Sequence, residues 1–294
     1  MLSYAAQVGQ LTQPTVHWTL LALLSFLLAT PAHAAKPARI VSLNLCTDQI
    51  LIELVPPERI AALTTLAVDR NVSAIAGDVK GIKLIAGAAE EVLGLDPDLV
   101  LASPYAATTT VDLLKRLGKR VELVPFATDF DGIRATVRQV AAAVEEPERG
   151  EAVIARFDAA LSSARSHSSK QPEALVYQVN GLVSGTGSLA DAALTAAGLS
   201  NQAARRSTAA GARIALESIV VMPPDLVVLA QGMNTYRTVV SDNLRHPALA
   251  RLMQRTAGVE LPMPLWLCGS PRIADAVGIL AQARNRLPAA NKGQ

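Results

Sequence analysis

Residues 90–100 read EEVLGLDPDLV, and residues 217–227 read ESIVVMPPDLV. Each stretch is a short helix opened by a glutamate, a Pro-Asp turn and a buried strand. Proline cannot continue the helix, so the apolar run after each Pro-Asp pair starts a new element. The offset between the copies is 127 residues throughout. Such an echo predicts two similar lobes, with Glu90 and Glu217 at equivalent positions. The unit is also common among α/β proteins, which leaves a chance likeness open for this pair alone.

The flanking sequence extends the pattern. In the first half, strands at 39–43, 60–66, 98–102 and 121–124 alternate with helices at 48–54, 90–95, 111–117 and 130–144. In the second half, strands at 174–179, 226–229 and 259–261 alternate with helices at 189–197, 216–221 and 272–287. Continuous apolar strands between helices predict parallel sheets. Residues 147–169 break the alternation. There Val153, Phe157, Ala160 and Ala164 fall on one helical face, and Pro147 suits a first helical turn. The expected fold class is therefore α/β: two Rossmann-like lobes with parallel sheets, 35–146 and 170–294, joined by a single long helix over 147–169.

Composition narrows the function. The chain has 294 residues, 50% hydrophobic and 18% charged, with a net charge of +2. That is ample for a core, and without a basic stripe it argues against a nucleic-acid partner. Residues 20–29 read LLALLSFLLA, followed by Ala32-His33-Ala34. This is the pattern of a secretory signal peptide cleaved after Ala34, too short for a transmembrane helix, and it predicts a periplasmic protein. No positive residue precedes Lys36, which is unusual for such a segment. Beyond Ala34 only His167 and His246 remain of the histidines, so no metal site is expected.

In parallel α/β sheets, ligands bind beyond the carboxyl ends of the strands. The loops there are 44–47, 103–105, 180–188, 231–236 and 266–270. They hold the candidate ligand-binding residues Asn44, Cys46, Tyr105, Asn180, Ser184, Tyr236, Trp266 and Cys268. Residues 35–294 contain seven aromatics, and Tyr105, Tyr236 and Trp266 lie in these loops. Scarce rings at strand ends fit a large flat ligand. Cys46 and Cys268 both sit in such loops, in an oxidising compartment. They are expected to be bonded or close together, and a bond would tie the lobes and restrict opening.

Enzyme readings fare worse. Gly185-Thr186-Gly187-Ser188-Leu189-Ala190 matches a dinucleotide fingerprint in part, but no acid lies between Asp191 and Glu217 to hold a ribose. No nucleophile elbow, zinc-protease motif or P-loop is present. No catalytic residue and no cofactor is expected.

Taken in order, several features resemble one family. They are the signal peptide, Arg39-Ile40-Val41-Ser42-Leu43-Asn44, the two Glu…Pro-Asp-Leu-Val units, the mid-chain helix, Thr186-Gly187-Ser188, and the late Ser270-Pro271-Arg272-Ile273. Together they resemble the periplasmic binding proteins for iron–siderophore, haem and cobalamin that feed ABC importers. The resemblance implies a helical-backbone periplasmic binding protein that acts as a monomer. It implies a metal chelate of cobalamin or iron–siderophore type held between the lobes, with haem as the alternative. It also implies that Glu90 and Glu217 dock onto arginines of a permease dimer. No arginine cluster suits an anionic siderophore, which favours cobalamin slightly.

Overall fold

The structure, a computed structural model, describes residues 36–105, 108–165, 171–205, 211–231 and 239–288. The expected signal peptide, Tyr236 and His167 lie outside these residues.

The first lobe is a five-stranded parallel sheet in the order β3-β2-β1-β4-β5. Its strands are β1 (Ile40–Ser42), β2 (Ile60–Thr64), β3 (Leu84–Ile85), β4 (Leu99–Ala102) and β5 (Val121–Leu123). Its helices are α1 (Leu45–Leu54), α2 (Ala89–Gly94), α3 (Thr108–Arg116) and α4 (Phe130–Ala143). Gly118 closes α3 at φ 75°, where a side chain would be strained.

Next comes α5 (Pro147–Ala164), then a four-stranded parallel sheet in the order β7-β6-β8-β9. Its strands are β6 (Glu173–Tyr177), β7 (Ser200–Asn201), β8 (Leu226–Gln231) and β9 (Ala257–Pro262). They are interleaved with α6 (Leu189–Ala196), α7 (Gln202–Arg205), α8 (Leu216–Val221), α9 (Pro247–Met253) and α10 (Ile273–Asn285).

The two-lobe α/β architecture is as expected. Helix α5 ends at Ala164, earlier than the expected 169, because its apolar stripe runs out there and Arg165 turns extended. Its buried face (Val153, Ile154, Phe157, Leu161, Ala164) joins residues of both sheets in one continuous core that also includes Val277 and Leu280 of α10.

The Pro-Asp echo has a structural cause. Ala38 and Arg39, leading into β1, donate backbone N–H groups to the Asp98 carboxylate at 2.7 and 3.1 Å. Glu173, opening β6, donates its N–H to Asp225 at 2.8 Å. In each lobe the aspartate before one strand holds the start of its parallel neighbour, which fixes the register Ile40–Leu99 in one sheet and Ala174–Leu226 in the other.

Candidate functional site

Both sheets reverse their strand order once. The reversal falls between β1 and β4 in the first lobe and between β6 and β8 in the second. At such a point the loops leave in opposite directions and can open a crevice. The loops there are 43–44 and 103–105 in the first lobe and 178–188 in the second.

Tyr105 follows β4. It is 80% exposed and stacks parallel on Phe126, which follows β5, with ring centroids 5.6 Å apart. Its hydroxyl has no partner among the described residues. Leu66 and Val68 beyond β2, and Leu267 beyond β9, are also exposed. An apolar side chain left about half or more in water has a free-energy cost that folding alone does not recover. Such residues lie beyond four strands here, and Leu117 and Val220–Met222 at the ends of two helices are exposed as well. Phe126 was readable from sequence as a ring just past a strand, yet it is missing from the expected set.

The other expected residues divide by surroundings. Asn44 caps α1, its side-chain oxygen accepting from the N–H of Cys46 at 2.8 Å. With Thr47, Phe126, Thr136 and Gly269 it lines a cavity of about 10 Å³, room for one water. The Ser184 hydroxyl accepts from Gln178 at 3.1 Å and its carbonyl accepts from Asn201 at 2.8 Å, so it braces its own loop. Trp266 is half-buried, packed on the core, with its indole N–H buried and unpartnered. Asn180, exposed and at φ 57°, lines a shallow depression with Glu217, Tyr177 and His246. One expected ligand residue and one expected docking residue are therefore neighbours. The Nδ1 of His246 accepts from Ala248, capping a helix absent from the expected set whose signal was Pro247 in its first turn.

Cys46 lies within the first turn of α1 rather than in a loop, because the helix begins three residues earlier than the expected Asp48. It is bonded to Cys268, with Cα atoms 5.2 Å apart and 222 residues of separation. In the chain-entropy account, closing so long a loop contributes about 5 kcal/mol. Beside the bond, the backbone of Gly269 lies so close to Ala127 that an added Cβ would sit 2.5 Å from its carbonyl oxygen.

Glu90 and Glu217 both occupy the second helical position, after Ala88 and Ala215 at the caps. Both are exposed and unpaired among the described residues. Capping of α2 falls instead to Glu91, whose carboxylate accepts from the N–H groups of Ala86, Gly87 and Ala88 at 3.0–3.1 Å. That leaves Glu90 without a structural task of its own.

Under the crevice, Asp48 is fully buried on α1. Desolvation pushes its pKa up to about 7, against hydrogen bonds from Ser42 and Thr64 that lower it. The Thr64 hydroxyl donates to Oδ2 at 2.6 Å, while Oδ1 is buried without a partner, which adds to the cost of the charged form. The unfolded chain releases this proton near 3.8 and the folded one near 7. Stability should therefore fall as pH rises across that window, by about 4 kcal/mol, and level off above it. Urea midpoints measured from pH 4.5 to 8 should show the fall, and Asp48→Asn should flatten it. An equal slope in the variant would assign the effect to other groups.

Among the described residues no group of three or more His, Cys, Asp or Glu is placed to hold a metal ion, and no helix is long and apolar enough to cross a membrane.

Each lobe is a parallel α/β sheet with one switch point, the place where such sheets hold ligands. Residues 40–253 match the family model described as periplasmic binding protein, and the chain belongs to that family. A cobalamin-binding protein of Halobacterium salinarum is 30% identical over 203 residues, 66% of this chain and 54% of the relative. The chain thus spans about half the length of the curated relatives it matches. The periplasmic heme-binding protein RhuT from Roseiflexus sp. RS-1, in apo form, superposes with a TM-score of 0.70 at 24% identity, covering 83% of this chain and 97% of that one. The periplasmic vitamin B12 binding protein BtuF of Vibrio cholerae gives 0.63 at 16% identity, covering 85% and 97%. At these identities the solved structures share the fold.

Proposed function

We propose that this chain is the substrate-binding component of an ABC importer, exported to the periplasm by its N-terminal signal peptide. It captures a metal chelate of the cobalamin type between its lobes and delivers it to a permease dimer, without catalysis. The observation that carries the reading is the exposed Tyr105–Phe126 stack at the first switch point. A parallel ring pair left in water is a ready platform for a flat macrocycle, since it buries large area while losing little side-chain freedom. The cobalamin-binding relative points the same way.

The test is a titration of residues 35–294, in which Trp266 is the sole tryptophan. Cyanocobalamin absorbs where tryptophan emits, so saturable 1:1 quenching is expected. Linear, non-saturating quenching would reject capture of this chelate. Haem is a second reading, favoured by the unpartnered Tyr105 hydroxyl, which can ligate ferric iron as phenolate. Haemin would then quench in the same saturable way and show a tyrosinate charge-transfer band that Tyr105→Phe removes.

A further inference from the structure

A buried polar cluster underlies the carboxyl edge of the first sheet. Ser42 ends β1 and Thr64 ends β2, with Thr47 and Asp48 between them on α1. Ser42, Thr47 and Asp48 are at most 2% exposed. The Thr47 hydroxyl donates to the Asn44 carbonyl at 2.8 Å and shares a 2.7 Å hydrogen bond with Ser42. The hydroxyl and the N–H of Thr64 both donate to Asp48 Oδ2, at 2.6 and 3.2 Å.

Thr64 is also the residue from which a 3-10 turn, Thr65–Val68, leaves β2. Its hydroxyl makes no capping bond to that turn, because it is spent on Asp48. The turn presents Leu66 and Val68, 50% and 46% exposed, and buries Ala67. Strands β2 and β4 flank β1, so the turn after β2 and Tyr105 after β4 stand, in strand order, on either side of the loop that holds Asn44. One carboxyl therefore sets where an apolar part of this edge lies.

Asp48 has no countercharge among the described residues. Strands β1 and β2 and the turn carry no ionisable side chain, and Asp69, just past the turn, accepts from Asn71. Helices α4 and α5 pack on α1 with largely apolar faces. On them Arg134 pairs with Asp131 and Asp158, and Arg138 with Glu151, while Glu148 and Arg149 are exposed at the start of α5. Glu53, on α1 itself, pairs with Arg156 and Arg272. A carboxylate ionised in such a place must draw in water or displace a neighbour. The half-exposed turn is the neighbour with room to move. Burial accordingly pushes the Asp48 pKa up to about 7.

We propose that Asp48 is a proton-linked positioning residue, which fixes the 65–68 turn for ligand while it holds its proton and loosens the turn when it ionises. A ligand lying on Leu66 and Val68 would cut the turn off from water and make the ionised form costlier still. Binding then takes up a proton, and affinity falls as pH rises through the ionisation. The effect on affinity rests on the chelate-binding reading, whereas the movement of the turn does not.

The ligand-free test follows the methyl signals of Leu66 and Val68 in carbon-13-labelled protein, residues 35–294, from pH 5.5 to 8.5. They should shift together with a midpoint near 7. Asp48→Asn keeps an acceptor for Thr64 but cannot ionise, so its methyls should stay fixed. Methyls that do not titrate in the parent, or that titrate alike in the variant, would overturn the proposal. Should Asp48→Asn fail to fold, Thr64→Val is the comparison. It cuts the hydroxyl link, so the shifts should shrink, and shifts of undiminished size would reject Asp48 as their source. With cyanocobalamin as the probe, affinity should fall severalfold between pH 6 and 8.5 in the parent and stay level in Asp48→Asn. A parent affinity that is level over that range would overturn the positioning role. Cyanocobalamin that binds at no pH would sink the functional reading and leave the methyl titration to decide this one.

Discussion

Replacing Glu90 and Glu217 together by alanine is expected to abolish uptake while leaving ligand affinity and melting temperature close to those of the parent. The two carboxylates sit at the same helical position in two lobes, exposed and unpaired among the described residues. A glutamate there stabilises its own helix by roughly 0.3–1 kcal/mol at most, and in α2 it is Glu91 that holds the N–H groups of Ala86, Gly87 and Ala88 ahead of the helix. Truncation should therefore cost the fold little. A docked, desolvated carboxylate–arginine pair couples by about 1.5–7 kcal/mol, so losing two removes most of the attraction to a permease. Val221, 77% exposed one turn beyond Glu217, adds apolar area on the same helix. Single variants should retain partial uptake. The measurement is accumulation of labelled chelate in cells, beside calorimetric affinity and thermal melts of the purified protein. Normal uptake by the double variant would leave the paired glutamates without a role in docking.

The second large effect is expected from Tyr105→Ala combined with Phe126→Ala. The rings lie parallel with an interplanar angle of 1° and centroids 5.6 Å apart. Removing one leaves a single face, and removing both takes away the platform. Loss of chelate affinity by more than about tenfold, at least ~1.4 kcal/mol, should follow. Neither ring is buried, so the fold should tolerate the change and the melting temperature should move little. Equilibrium dialysis against cyanocobalamin reads the effect. A double variant that binds like the parent would make the stack an ornament of the loop surface and move the ligand elsewhere.

What could be read from the sequence follows the length scale of each interaction. The Pro-Asp echo gave both lobes, because each aspartate acts on a strand start held in the same way. The two-residue strands β3 and β7 were unreadable, since two residues carry no periodicity. Helix α9 is absent from the expected helices, although Pro247 marks its first turn. The disulfide was foreseen as one of two arrangements, from loop position alone. The contacts beside it, the Ser270 hydroxyl donating to Gln49 and the Gly269 backbone against Ala127, have no local signature and were not foreseen. Trp266 follows a strand as expected, and the packing of its flank on the core is a tertiary contact that its position after a strand does not announce.

On the proposed function, the chain carries a metal chelate between its lobes. Native mass spectrometry of the protein released from the periplasm of chelate-fed cells tests it most directly. The account predicts a population shifted by the mass of one corrinoid or one haem, lost on collisional activation. Protein recovered wholly unliganded from such cells, or shifted by a small metabolite with no metal isotope pattern, would contradict it.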